Sequence, residues 1–336
     1  MDELLERIHI SMNYTQPMNI LITGGAGFIG SHLTDKLVAE GHAVTVLDNL
    51  STGRMENIQH HLASKKITFV EGSILDVDLV NKLISGSEYV FHLAAAVGVF
   101  NIVNNPLSSL LTNIRGTENV LESSHQHGIP ILIASSSEVY GKNTSDSLSE
   151  TDNRILGSPT MLRWSYSEAK AIDESLAYAY FIEKNLETRI VRFFNTVGPR
   201  QLGSYGMVVP RFIQAALKNE PVSIYGNGEQ TRCFAHVLDV VEALCLVAFS
   251  ANTIGQVVNI GNNFEISMND LAGLVISSTN SSSEVEYVSY EIAYGAGFED
   301  MERRVPNLSL IKELVGWQPK RNLNQIINDV AKDTRL

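Results

Sequence analysis

From Asn19 onward, short apolar runs alternate with amphipathic stretches. "NILIT" precedes a helical "FIGSHLTDKLVAEG", and "AVTVLD" comes next. "ITFVEG" leads into "LDVDLVNKLIS", and "EYVFHLAA" into a long stretch through Leu121. "PILIASS" closes this series, and "TRIVRFFN" follows a helical stretch that begins near Arg163. Strand-like runs separated by helical periodicity predict βαβ units, and therefore an α/β fold with a doubly wound parallel sheet and helices on both faces.

After Asn195 the pattern changes. Proline and glycine cluster in "TVGPRQLGSYGMVVP", a helix "RFIQAALKN" follows, and "PVSIYGNGEQTRCF" reads as a hairpin. "VLDVVEALCLVAF" and "GQVVNIG" look like another helix and strand of the first unit. The expected division is an N-terminal extension over 1–17, a sheet domain over 18–195 with 236–261 packing back onto it, and a smaller C-terminal α/β substrate domain within 196–336. There are no internal repeats, and the serine-rich patch 277–283 reads as a loop.

The composition narrows the class. With 336 residues, 44% hydrophobic and 18% charged, the chain can build a core without disulfide or metal staples. A formal charge of −12 argues against nucleic acid as a partner, which calls for a basic face. Cys233 and Cys245 are too few and too far apart for a disulfide framework or a zinc knuckle, so no metal is expected and a reducing cytoplasm is the simplest home. "MDELLERIHISMNYTQP" lacks the apolar stretch and small-residue site of a signal peptide. No apolar run approaches the roughly 18–20 residues of a membrane span.

"TGGAGFIG" carries Gly24, Gly27 and Gly30 in G-x-x-G-x-x-G spacing, with Phe28 and Ile29 between the last two. It follows a strand-like run and opens a helix. In that setting glycines allow a tight turn and close approach to a pyrophosphate at the helix N-terminus, the signature of a Rossmann-type sheet. Asp48, beside Asn49, ends the second strand, where a carboxylate binds an adenosine ribose and repels a 2′-phosphate, favouring NAD over NADP. Asp76 reads either as an adenine contact or as a helix N-cap. "FHLAAA", with Leu93 and Ala94, ends a strand in small residues suited to passing beneath a dinucleotide.

Tyr166 and Lys170 in "WSYSEAK" lie four apart on one helix face. A nearby ammonium lowers a phenol's pKa, and the phenolate takes a proton from a sugar hydroxyl while hydride leaves the same carbon. Ser136 ends the fifth strand-like run and is expected to share a proton with Tyr166.

With these motifs the chain resembles the extended short-chain dehydrogenase/reductases that act on nucleotide sugars. The likeness runs from about Asn19 to near Leu323 and includes "FFNTVGPRQ", "IYGNGEQTRCFAHVLDVVEAL", "NIGN" and "RRVPNLSLIKELVGWQP". It implies NAD held through the cycle, a UDP-sugar bound by the C-terminal part, and a homodimer joined by helices near 104–127 and 163–184. It also implies Asn195, Arg211, Tyr225 and Arg232 as nucleotide-sugar contacts, whereas Arg200 reads as a solvated arginine.

Within that family the stretch "SSSEVYG" bears on the reaction. Sugar 4,6-dehydratases carry Asp-Glu where this chain has Ser137-Glu138, so the elimination acid is missing. UDP-glucuronate decarboxylases, including the aminoarabinose-pathway domain, carry Ser-Glu and are similar again at "RWSYSEAK" and "YGAGFEDMERRVP". The resemblance implies oxidation at C4, loss of carbon dioxide from the β-keto acid, and protonation at C5. Ser137 and Glu138 would manage the proton, and Arg304 would face the carboxylate, with Arg303 as the alternative one residue away. A UDP-sugar 4-epimerase is the alternative reading, supported by "GPRQLGSYGMVVPRF"; a dehydratase or a non-catalytic NAD-binding protein comes after it.

Overall fold

The computed structural model describes residues 16–98, 102, 104–203, 207–294, 301 and 303–334. The expected extension therefore lies almost wholly outside the described residues.

Seven strands form one parallel sheet: β1 (Asn19–Thr23), β2 (Ala43–Asp48), β3 (Ile67–Glu71), β4 (Tyr89–His92), β5 (Ile131–Ser136), β6 (Thr188–Phe193) and β7 (Val257–Ile260). Their spatial order is β7-β6-β5-β4-β1-β2-β3. The order reverses on either side of β1, which pairs with β2 and with β4. Parallel neighbours need helical crossovers, and a crevice opens at the carboxyl ends of the strands where the order reverses.

Alternate side chains along each strand serve opposite faces. In β1, Ile20 and Ile22 join the core that contains Leu33, Leu37, Val240 and Leu244. Leu21 joins the core on the other face, with Val80, Ile84, Val120 and Leu121. Helices α1 (Phe28–Ala39), α2 (Gln59–Ala63), α3 (Val77–Ser85), α4 (Pro106–His127) and α5 (Ser165–Lys184) follow the strands in turn. The sequence sets their ends. Pro106 opens α4, where a missing N–H costs nothing, and Gly128 ends it in the left-handed region at φ 66°. Asn185, left-handed at φ 55°, ends α5.

A separate apolar cluster lies C-terminal in sequence. It joins α6 (Val208–Leu217), α8 (Met268–Thr279) and α9 (Leu323–Thr334) through residues such as Phe212, Ile213, Leu271, Ile326 and Ile327. Between α6 and α8, α7 (Val237–Ala248) packs its Val240, Val241 and Leu244 into the core shared with α1. β7 follows and extends the main sheet beside β6.

The expected hairpin over 221–234 does not form. Val222–Tyr225 pairs in parallel with Val285–Val288, and Thr231–Cys233 pairs antiparallel with Glu265–Ser267. Gly226 and Gly228, both at φ 77°, separate the two strands, and each then finds a distant partner. The serine-rich patch is also only partly loop, because α8 runs through Ser277 and Ser278 to Thr279.

Candidate active site

The crevice at the carboxyl ends of the strands opens into a cavity of about 810 Å³. Its walls run from the glycine turn, past the ends of β2, β4 and β5, to α6 and the 222–234 segment.

At one end, Gly24 adopts φ +74° and its N–H donates to the carbonyl of Leu47 at 2.8 Å. A Cβ there would lie 2.8 Å from the Ala94 nitrogen, and one on Gly30 would lie 2.1 Å from the Gly24 carbonyl oxygen. Only glycine permits this compaction. Gly24, Gly27, Phe28, Ile29, Gly30, Asp48, Asn49, Leu93 and Ala94 all line the cavity. Asp48 holds the turn from the next strand: its Oδ2 accepts from the Ala26 N–H at 3.0 Å and its Oδ1 from the Leu50 N–H at 2.8 Å. Burial raises its pKa, against the pull of these bonds and one from Gly27.

Asp76 is not among the lining residues. Its carboxylate caps α3 by accepting from the Leu79 N–H at 3.1 Å, while Gly72 and Ile74, just before it, face the cavity. The N-cap reading is the one that the geometry bears out.

Ser136 ends β5, and its hydroxyl accepts from the Glu138 N–H at 3.2 Å at the start of a short turn, Ser137–Tyr140. It also shares a hydrogen bond with the Tyr166 phenol from the first turn of α5. Lys170, one turn on, is 2% exposed, and its Nζ donates to Asp173 at 3.1 Å. Burial opposes its charge, but Asp173, aided by Tyr166 and Glu174, holds its pKa above the ordinary value. The sequence reading expected this ammonium to lower the Tyr166 pKa. Lys170 does pull that way, but burial outweighs it and the phenol sits above its ordinary value.

Beside this pair stands a charged cluster. Glu138 Oε2 is 2.6 Å from Arg163 Nη1, and its Oε1 is 2.8 Å from Arg304 Nη2. Arg304 Nη1 also donates to the Ser137 hydroxyl at 3.3 Å. Burial pushes the Glu138 pKa up, but Arg304 and Arg163 together reverse this and hold it far below the ordinary carboxylate range. Glu138 is therefore an ionised acceptor. Arg303 points elsewhere, pairing with Glu265 at 2.9 Å, while Arg304 lines the cavity.

Toward the other end lie Asn195, Arg211, Tyr225 and Arg232, all lining the cavity. Asn195 Nδ2 donates to the Cys233 carbonyl at 2.9 Å, and the Arg211 guanidinium sits 3.8 Å from the Tyr225 ring centre. Arg200 is not the solvated arginine expected: Nη2 pairs with Asp35 at 2.8 Å.

The sequence reading missed three supporting groups. Arg163 stood in the quoted "RWSYSEAK", but only the fold turns it toward Glu138. Asp173 is fully buried beneath Lys170, where nothing in the pattern marks it. His92 bridges the hydroxyls of Thr23 at 2.8 Å and Thr117 at 3.1 Å. Burial and the charge of Lys170 push its pKa down to about 3, so it is neutral.

A profile of the GDP-mannose 4,6 dehydratase family matches residues 21–330. The chain belongs to this family. A UDP-N-acetyl-alpha-D-glucosaminuronate decarboxylase from Bacillus cytotoxicus is 40% identical, over 93% of this chain and 96% of its own. UDP-glucuronic acid decarboxylase 1 from Xenopus tropicalis is 38% identical, over 94% of this chain and 72% of its own. Among solved structures, the UDP-glucuronic acid 4-epimerase from Bacillus cereus, in complex with UDP-glucuronic acid and NAD, superposes with a TM-score of 0.85. It is 27% identical and the match covers 95% of this chain and 99% of that one. The protein is an enzyme of this nucleotide-sugar family with a Rossmann-type sheet.

Proposed function

We propose that the protein is an NAD-dependent UDP-uronate decarboxylase that acts on UDP-glucuronate or its 2-acetamido relative and forms the UDP-pentose or its 4-keto form. The observation that carries this reading is the Ser137–Glu138–Arg163–Arg304 cluster beside Tyr166. Two guanidiniums against the single carboxylate of Glu138 leave a net positive charge at the reacting end. A guanidinium donates in pairs to a carboxylate, which suits a sugar acid better than a neutral hexose.

NAD fits the glycine turn and the ribose position at Asp48, whose carboxylate retains acceptor capacity beyond its backbone bonds. When bound, the nicotinamide supplies the hydride acceptor at the sugar C4. Tyr166 takes the C4 hydroxyl proton, Ser136 holds that hydroxyl, and Lys170 offsets part of the cost of forming the buried phenolate. The C4 ketone makes the sugar a β-keto acid. The C5–C6 bond breaks, its electrons flow toward the ketone, and carbon dioxide leaves. Arg304 and Arg163 orient the departing carboxylate. Glu138, held ionised, orders Ser137, Arg304 or a water for protonation of C5. The sugar then leaves as the 4-keto-pentose, or its C4 takes the hydride back while Tyr166 returns the proton to the C4 oxygen, giving the UDP-pentose. Asn195, Arg211, Tyr225 and Arg232 hold the uridine diphosphate.

The division into a dinucleotide-binding domain over 18–195 and a nucleotide-sugar domain within 196–336 belongs to the same reading. So do a homodimer through α4 and α5 and a cytoplasmic location. Leu107, Ile172, Tyr178 and Ile182 expose apolar surface on these two helices, which supports the dimer. Among the described residues no helix is long and apolar enough to cross a membrane.

The second reading is a UDP-sugar 4-epimerase, favoured by the likeness to the Bacillus cereus enzyme. Incubation with UDP-glucuronate, followed by mass spectrometry and proton NMR, separates the two. Loss of one carbon dioxide is expected; an unchanged mass with a new C4 epimer would make it an epimerase.

A further inference from the structure

We propose that Asp35, His60 and His61 form a binding site for a divalent transition metal of the zinc class, outside the cavity described above. None of the three lines that cavity. The sequence holds no metal-ligand spacing here, because the fold brings Asp35 of α1 against consecutive histidines of α2.

His60 Nε2 lies 3.0 Å from Asp35 Oδ1, and His61 Nε2 lies 2.8 Å from the same oxygen. The donor atoms of all three residues fall within 4.8 Å of one another. Metal bonds of about 2.0–2.2 Å to nitrogen and oxygen place neighbouring donors roughly 3 Å apart, so two edges of a coordination polyhedron are already set. Two imidazoles and one carboxylate select zinc and its neighbours over magnesium or calcium, which take oxygen donors.

The surroundings fit the role. Arg200 Nη2 holds the other carboxylate oxygen at 2.8 Å, which orients Asp35 and leaves Oδ1 as the single oxygen donor. The guanidinium also opposes a second positive charge, so affinity falls short of a site built from thiolates. The His60 side chain is 52% exposed and that of Asp35 31%, leaving one side open for entry and for a water ligand. His61, at 11%, anchors the other. A metal here would tie α1, which begins at the glycine turn, to α2 and to the turn at Pro199–Gln201. That turn is already fixed by Pro199 to His32 and by Arg200 to Asp333. The site's role is to hold this corner of the fold.

The test is to strip the full-length protein with chelator and titrate it with zinc alone against a chromophoric competitor, with thermal unfolding in parallel. One equivalent should bind and raise the unfolding temperature, with uptake weakening as pH falls because protons compete for the ligands. His60→Gln and His61→Gln should each weaken binding at least tenfold, as losing even a supporting contact does, while His127→Gln leaves it unchanged. His60 is half exposed, so its variant remains folded and informative. Uptake that persists undiminished in both histidine variants, or no uptake with zinc in excess, would overturn the proposal.

Discussion

Glu138 faces two guanidiniums across 2.6 and 2.8 Å, and its partners decide what it does. Held far below the ordinary carboxylate range, it stays ionised throughout the working pH range and leaves no inflection in the rate profile. Glu138→Gln should abolish carbon dioxide release and cost stability on the order of 3 kcal/mol, since the guanidiniums lose their buried counter-charge; urea unfolding reads the second effect. Tyr166 titrates above its ordinary value through burial, so turnover should rise with pH on the alkaline side. Tyr166→Phe should lower kcat by about 10²–10⁴-fold while cofactor content is unchanged. His92 gives a stability prediction. Its folded pKa of about 3 lies below the unfolded value of 6.5, so the unfolded state binds the extra proton. Stability is then complete above pH 6.5 and lost as pH falls toward 3, by up to about 1.4 kcal/mol per unit. Unfolding of His92→Gln followed across that range should show a shallower acid slope. These residues were legible unequally. Tyr166, Lys170 and Ser136 stand in recognisable spacing, whereas Arg163 meets Glu138 only when the turn before α5 packs on the Ser137–Tyr140 turn, and Asp173, three residues beyond Lys170, gains its role from burial.

At the scale of elements, the strands of the main sheet were legible because each is a short apolar run bounded by turn residues; β2 matches its expected bounds at both ends. The hairpin expected over 221–234 was not legible. A glycine-rich turn between two β-prone runs is compatible with local pairing, and here tertiary partners at 265–267 and 285–288 won the competition. The same local ambiguity hid the role of Asp76, which sequence could not resolve between ligand contact and cap. The glycine turn gives the sharpest test of an element. Gly30→Ala places a methyl 2.1 Å from the Gly24 oxygen, so dinucleotide binding should fall at least tenfold, read by fluorescence titration with NADH. On α4 and α5, Ile182→Glu should convert a dimer to monomers in light scattering, because a charge replaces a 51% exposed apolar side chain in the surface proposed to be shared.

At the scale of the molecule, the sheet core and the C-terminal cluster are distinct hydrophobic units, with the cavity walled by residues of both. Ligand binding and stability should accordingly be coupled. A ligand at about 100 times its Kd stabilises by about 2.7 kcal/mol, which calorimetry with NADH and with UDP would detect separately. The central claim concerns the reaction that this cavity performs. It is tested most directly by running UDP-glucuronate with the enzyme in heavy water and weighing the product. The account predicts a UDP-pentose lighter by one carbon dioxide and carrying one solvent deuterium at C5, where the Ser137–Glu138–Arg304 cluster directs protonation. A UDP-uronate of unchanged mass, with no deuterium and an inverted C4, would contradict it.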